Sequence, residues 1–379
     1  MKNYSDHIAI IGAGIAGLTL GCVLKKEGIP VIIFEKSESI SNYGAGISIS
    51  NNGISILKKI GVFDNIKQSS SNPKVTRFFS KRTQISSFEV NVITTSREVL
   101  YRELLNKYYS YGGEILFNHC LNKINIDNSE VSFTNNHSFK VDHIAACDGI
   151  RSLCRSSIGE TEKPIYSGYS VWRALIDKRQ EDIKTFLGPN HHIVTYPINK
   201  DKVSFVAAIK TTREIKDSWR QKGTYDELRN DLKDSNENFY SFLKNHSDIY
   251  KWGIYTRSTP KTIFKKNITL LGDAAHPIVP FLGQGGCLAL EDSYVFGKLI
   301  LSLHGDLNKI QNSYEDLRLK RIYKIKNLSE RQGYLNHISN PVMTLGRNMI
   351  MKFFPSIAMH SIREIWGYDV DNALTKIKH

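Results

Sequence analysis

The sequence predicts an α/β chain: a strand–turn–helix unit at the N-terminus, a second strand-and-turn unit further on, a β-rich stretch between them, and a helical C-terminal segment. Three observations predict it. An apolar run near the N-terminus ends in a three-glycine turn that opens a helix; a second apolar strand enters a small-residue turn near residue 270; and three strand-like stretches separated by turns fill residues 169–209. Composition agrees. At about 150 residues per domain, 379 residues suffice for two or three domains, and 41% apolar with 23% charged residues excludes disorder and collagen-like repeats.

In chain order, His7-Ile8-Ala9-Ile10-Ile11 reads as a buried strand, Gly12-Ala13-Gly14-Ile15-Ala16-Gly17 as a turn, and the stretch from Leu18 to Lys26 as a helix. Gly28-Ile29-Pro30 stops the helix, and Val31-Ile32-Ile33-Phe34 forms a second strand closed by Glu35. Gly12 lets the chain turn sharply, Gly14 lets backbone approach a pyrophosphate, and Gly17 lets the helix pack on the strand. The phosphates then sit on the free N–H groups and positive dipole end of the helix. Glu35 is placed to accept hydrogen bonds from ribose hydroxyls, and its charge disfavours a 2′-phosphate, so the site suits FAD or NAD better than NADP. The glycine spacing alone is a weak signal; strand, helix and acidic residue together make a strong one. No second Gly-x-Gly-x-x-Gly occurs, so one dinucleotide has a dedicated Rossmann-like unit.

Further along, Asn267-Ile268-Thr269-Leu270-Leu271-Gly272-Asp273 is an apolar strand entering a turn with one carboxylate, and Pro280-Phe281-Leu282-Gly283-Gln284-Gly285-Gly286-Cys287 is a glycine-rich bend opening another helix. Such a helix N-terminus can stabilise negative charge developing on a ring system, and Asp273 could fix a ribityl hydroxyl.

These segments resemble the class A flavoprotein monooxygenases, the single-component FAD aromatic hydroxylases that include salicylate and 3-hydroxybenzoate hydroxylases. The likeness runs nearly end to end. It is carried by Gly12 to Gly17 with Glu35; by Gly44-Ala45-Gly46-Ile47 with Ser96-Arg97-Glu98; by Ala146-Cys147-Asp148-Gly149 with Arg151 and Arg155; by Gly272-Asp273; and by a tail with Arg318, Arg321 and Ile365-Trp366-Gly367-Tyr368-Asp369. Two departures are small: Cys147 stands inside the usual Ala-Asp-Gly, and Gly286 replaces an alanine.

The resemblance implies a discontinuous Rossmann-like FAD-binding domain of the GR2 type from residues 1–70, 97–164 and 261–328. Residues 71–96 and 165–260 would form an inserted, mixed β-sheet domain that binds substrate, and 329–379 the helical segment. It implies FAD contacts from Gly12, Gly14, Ala16, Gly17, Glu35, Lys36, Ala45, Gly46, Arg97, Asp148, Asp273, Gly283, Gly285, Gly286 and Cys287. It further implies that NAD(P)H reduces FAD, that O2 adds to it as a hydroperoxide, and that the distal oxygen reaches a small carboxylated or phenolic ring while water is excluded. The alternative is a ubiquinone-biosynthesis-type hydroxylase or an epoxidase of a larger hydrophobic substrate.

Pro280 and Gln284, in the turn expected beside the flavin, and Lys210, near where some relatives place a ring-activating base, are the catalytic candidates; Lys210 also reads as a solvated strand-end lysine. His191 and His192 could deprotonate a phenol, although Gly188-Pro189-Asn190 beside them favours a surface position. His276 reads as structural. Arg173 could face a phosphate, a substrate carboxylate or a structural partner.

The charge sum of +14 attracts anions, but the lysines are dispersed and no nucleic-acid-binding motif accompanies them. No apolar run reaches the roughly 20 residues needed to cross a bilayer, and no leader-like segment opens the chain, so a cytoplasmic protein without stable membrane insertion, monomer or homodimer, is expected. Five widely spaced cysteines suggest buried reduced thiols. No metal-ligand spacing or nucleophile elbow is legible. Residues 341–355, apolar with intermittent basic residues, read as a helix packed on the FAD unit or a second subunit, or as a shallow membrane contact.

Overall fold

The computed structural model describes residues 3–39, 46–215, 221–233, 235–303 and 305–377. Its first sheet has the order Phe264–Lys265, Ile268–Leu270, Ser138–Ala146, Tyr4–Ile11, Val31–Phe34, Ile115–Leu116. Along this order every pairing but that of the first edge strand is parallel. Leu121–Asn125 and Glu130–Phe133, which pair antiparallel with each other and, through Glu130–Phe133, with Ser138–Ala146, bring the sheet to eight strands. Helices cover the sheet, so the central strands are continuous apolar runs rather than alternating ones: Ala9, Ile10, Ile32 and Ile33 are all fully buried. The predicted strand, turn and helix are present as Tyr4–Ile11 and Ile15–Lys26, with Glu27 capping the helix before Gly28. Helix Ile15–Lys26 packs between Arg97–Ser110 and Gly285–Ser302.

The second sheet also has eight strands, in the order Lys222–Gly223, Ile249–Thr256, Ile165–Asp177, Lys202–Lys210, His191–Pro197, Ile183–Gly188, Val75–Ser80, Thr83–Glu89. Neighbours are antiparallel except Ile183–Gly188 with Val75–Ser80, so the sheet is mixed, as expected. Side chains alternate across it. Trp172, Ile193, Phe205 and Ala207 face a small core with Leu228, Tyr240 and Leu243; Arg173, His192, Val194, Val206 and Ala208 face the other way, into a cavity against the first sheet. A ribbon of Gly46–Ser50 and Val92–Ser96 joins the two layers.

The C-terminal segment is helical: the 30-residue helix Leu307–Asn336, then Pro341–Phe353, Pro355–Trp366 and Val370–Leu374. In Pro341–Phe353 Arg347 is the buried residue, its guanidinium donating to the Leu335 carbonyl at 2.9 Å. Val342, Leu345, Met349, Ile350 and Phe353 are exposed, so this helix turns an apolar face to the outside rather than into the chain. Among the described residues no helix is long and apolar enough to cross a membrane, and no group of three or more His, Cys, Asp or Glu is placed to hold a metal.

Candidate active site

A cavity of about 580 Å³ runs between the two sheets. Gly14, Ile15 and Ala16 line one end, Arg97, Tyr101 and Asp273 its middle, and Arg173, Tyr196, His192 and Trp252 the face of the second sheet. The turn of residues 280–286 forms another wall, and Met359, Ile365 and Trp366 close the side beneath the C-terminal helices.

The glycine turn has the geometry its spacing calls for. Gly12 has φ +104°, and a Cβ there would lie 2.5 Å from the Cys147 carbonyl oxygen. A Cβ on Gly17 would lie 2.0 Å from the Gly12 carbonyl oxygen, which is how closely helix and strand approach. Gly14 differs, since its Cβ position is open to the cavity and its nearest neighbour, the Tyr101 hydroxyl, is 3.7 Å away. The Glu35 carboxylate accepts from the Ala13 N–H at 2.8 Å and the Ser37 N–H at 2.9 Å, so it sits against the turn. Lys36 is exposed beside it. Ala45 and Gly44 lie outside the described residues; Gly46 lines the cavity.

Arg97 opens the helix Arg97–Ser110 and Asp273 the turn after Ile268–Leu270, and both reach the cavity. Asp273 opens onto the cavity but is otherwise surrounded by protein, and this burial raises its pKa against the lowering effect of His276 and Arg97. Burial lowers the Arg173 guanidinium to about 10, aided by Arg97. Arg173 also stacks on Trp252, with 5.0 Å to the ring centroid.

Gly283, Gly285, Gly286 and Pro280 line the cavity as expected, and Gly283, at φ +64°, turns the chain into helix Gly285–Ser302. Gln284 lines the cavity too, with its side-chain amide engaged on the protein side. Its Oε1 accepts from Asn52 at 3.0 Å and its Nε2 donates to Ser50 at 2.9 Å, so the side chain holds the turn to the core. Cys287 lies beneath the turn with its thiol toward the Ser50 hydroxyl at 3.6 Å. Asp148 accepts from the Leu153 and Cys154 N–H groups at 2.9 and 3.1 Å and so caps a short helix, while its neighbours Cys147 and Gly149 line the cavity.

The expectation for Lys210 is corrected. It shares a face with Val206 and Ala208 but is exposed at the strand end, and with Tyr169 and His337 it lines a separate space of about 110 Å³ rather than this cavity. The surface reading of His191 and His192 fails too, as both are nearly fully buried. The two-residue turn at Pro189 and Asn190 carries the chain straight back into the sheet, with Asn190 at φ +60°. The C-terminal end of helix Leu307–Asn336 packs against the strand just beyond that turn, the Asn190 N–H donating to the His337 carbonyl at 3.3 Å, while Pro189 and Asn190 themselves stay exposed. His192 lines the cavity edge-on to Phe281, and its Nδ1 lies 3.0 Å from His337 Nε2.

Sequence reasoning missed the polar core behind the glycine-rich turn. Glu291 and Asp292, both fully buried, flank the buried Arg318 at 2.8 and 2.7 Å; Asn52 and Arg321 also bind Glu291, and His276 and the Gly272 N–H bind Asp292. Arg321 in turn stacks on Tyr368 at 3.8 Å, tying the tail to this core. The Glu291-Asp292 pair beside a glycine turn and the two arginines of the tail were the available signal. Cys22, Cys147, Cys154 and Cys287 are buried free thiols and Cys120 is half-buried.

Fold and site together define a dinucleotide-binding protein with a second sheet roofing its ligand cavity. The family described as "FAD binding domain" matches residues 6–328, and the chain belongs to it. It is 25% identical to the 3-amino-4-hydroxybenzoate 2-monooxygenase of Streptomyces cremeus over 93% of each chain. It is 24% identical to the 3-hydroxybenzoate 6-hydroxylase of Klebsiella oxytoca over 96% of this chain and 97% of that one. Among solved structures, HpxO of Klebsiella pneumoniae in complex with FAD and uric acid superposes with a TM-score of 0.83 over 97% of both chains at 22% identity. The resemblance to class A flavoprotein monooxygenases holds.

Proposed function

We propose that this chain is an FAD-dependent monooxygenase that uses NAD(P)H and O2 to hydroxylate a small aromatic ring carrying a carboxylate or a phenolic hydroxyl. One observation carries the reading: a single cavity joins the open cradle at Gly14 to a half-buried cation, Arg173, on the second sheet. The residues suit FAD. Gly14 leaves room for a pyrophosphate at the N-terminus of helix Ile15–Lys26, Glu35 stands where a ribose would lie, and Asp273 offers a carboxylate to hydroxyls further along.

Bound FAD supplies the redox and oxygen chemistry, which no side chain can perform. The chain's part is placement and shielding. The N–H groups of residues 284–286, at the start of helix Gly285–Ser302, would stabilise negative charge on a bound ring system, the Gly283 N–H being taken by the Pro280 carbonyl at 3.0 Å. Arg173 holds the carboxylate of an aromatic acid with a charge-assisted hydrogen bond, and Trp252 and Phe281 flank the ring. Met359, Ile365 and Trp366 keep water from that side of the cavity. The relatives whose names specify hydroxybenzoates support the substrate class.

Anaerobic titration of the FAD-loaded protein with NADH or NADPH, alone and with hydroxybenzoates, hydroxynicotinates and phenols, tests this. The flavin is expected to bleach, and at least one aromatic acid to accelerate bleaching and to yield a hydroxylated product once O2 is admitted. A flavin that stays oxidised with every nucleotide and effector overturns the proposal.

A further inference from the structure

His192 has a tautomer set by its surroundings. Both nitrogens of His337 face carbonyl oxygens, Nδ1 that of Gly333 at 2.6 Å and Nε2 that of Ala208 at 3.3 Å. A neutral ring has one proton, which the much shorter contact takes, so Nδ1 of His337 carries it and its Nε2 is an acceptor. His192 Nδ1, 3.0 Å from that Nε2, must then be the donor. The remaining nitrogen, His192 Nε2, is therefore a bare acceptor on a residue that lines the cavity, and it takes no hydrogen bond from the described residues. Both rings stay neutral at ordinary pH, because burial lowers the pKa of His337 to about 4 and that of His192 well below its usual value.

The position of this acceptor relative to Arg173 follows from the sheet register. Arg173 pairs with Val206, and Val206 with Val194, two residues from His192 on its strand. At roughly 4.8 Å between strands and 3.3 Å per residue, the two backbones stand about 12 Å apart on one face of the sheet. That span suits one substituted ring with a hydrogen bond at each end. Phe281 of the glycine-rich turn packs edge-on to the His192 ring, 5.6 Å between centroids, which places His192 beside that turn.

The geometry points to His192 as the residue that selects the substrate: its Nε2 accepts a hydrogen bond from a ring O–H or N–H at the end of the substrate remote from an anionic group held by Arg173. This inference rests on the aromatic-acid reading above and sharpens it. A ring lacking that donor leaves a buried acceptor unpaired, and a site built around such a hydrogen bond rejects the deficient analogue strongly. His337 is a positioning residue that acts through His192.

The test uses the FAD-loaded oxidised protein and follows the flavin absorbance during titration with 3- and 4-hydroxybenzoate and with their fluoro counterparts. At least one hydroxybenzoate is expected to bind roughly 10- to 100-fold more tightly than its fluoro analogue. In His192→Leu that ratio should fall to within about 3-fold, whereas His192→Gln, whose amide oxygen can stand near the place of Nε2, should keep most of it. In His337→Phe the ratio should fall while FAD affinity stays unchanged, which separates positioning from a general loss of fold. Equal binding of the two analogues by the unaltered protein, or a ratio that survives in His192→Leu with FAD still bound, overturns the role of His192. Failure of every benzoate to perturb the flavin overturns the substrate class, and the role of His192 with it.

Discussion

Alanine at Gly14 and alanine at Gly17, three residues apart in one turn, should fail in different ways. At Gly17 the added methyl would stand 2.0 Å from the Gly12 carbonyl oxygen and 3.1 Å from Ile10 Cγ2. Neither is the end of a flexible side chain, so the helix must withdraw from the strand by more than about 1 Å to reach ordinary contact. Overpacking of this kind costs about 1–3 kcal/mol and occasionally more, against about 1 kcal/mol gained in helix propensity. A net loss of about 2 kcal/mol, the upper end of that difference, with an unfolding entropy of about 2.1 cal/mol/K per residue over 379 residues, lowers the apoprotein's Tm by about 2.5 °C.

At Gly14 the backbone is ordinary, with φ −74° and ψ −173°, and the methyl would project into the open cavity. The apoprotein should keep its Tm within about 1 °C, the mark of a substitution that strains nothing. The methyl occupies the place a pyrophosphate must approach, however, and losing a charge-assisted hydrogen bond there costs about 1.5–3 kcal/mol, roughly 10- to 150-fold in FAD affinity. Thermal unfolding of the two apoproteins and quenching of FAD fluorescence on titration measure both quantities. An unchanged FAD affinity in Gly14→Ala, or an apoprotein Tm lowered as far as in Gly17→Ala, would refute the assignment of the cradle.

Three further outcomes follow from the site. Arg318→Met leaves Glu291 and Asp292 buried without their shared cation, and should cost about 3–5 kcal/mol, a Tm lower by roughly 4–6 °C in a scanning experiment. Burial alone would raise the pKa of Asp292, but His276 and Arg318 outweigh it and bring it from 3.8 to about 2. Its contribution of about 2 kcal/mol is therefore complete above about pH 4 and lost as the pH falls toward 2, so the Tm of Asp292→Asn should depend less on pH across that window than that of the unaltered protein. Arg173→Met should raise KM for a carboxylated substrate roughly 10- to 100-fold and alter KM for an uncharged phenol little, measured as coupled NAD(P)H oxidation.

What was legible in the sequence is what one short segment determines alone. Residues 12–17 show their function because each glycine answers a local steric demand, and the strands Ile165–Asp177, His191–Pro197 and Lys202–Lys210 show their alternation within a few residues. What was not legible depends on distant partners. His192 meets His337, 145 residues away, and Asn52 meets Glu291, 239 residues away. The turn at Pro189 and Asn190 carries every local mark of a surface loop and is exposed, but His192 just beyond it is buried against the end of a helix formed about 150 residues later. Lys210 had the right face of its strand and the wrong position along it, at the exposed strand end.

This division follows the chemistry of the two ligands. A pyrophosphate is bound by backbone N–H groups at a helix end, and backbone geometry is written in consecutive residues. A substrate ring is bound by side chains that must converge from separate strands, here Arg173 on one, Trp252 on its neighbour and His192 two strands the other way. His192 can change without disturbing the glycine turn, because the groups that hold it are His337 and Gly333, not the cradle. A fold built this way can keep its cofactor while its choice of ring drifts. The residues that decide the ring then carry no local signature and are found only by asking, for each buried polar group lining the cavity, what its unpaired lone pair or proton would accept.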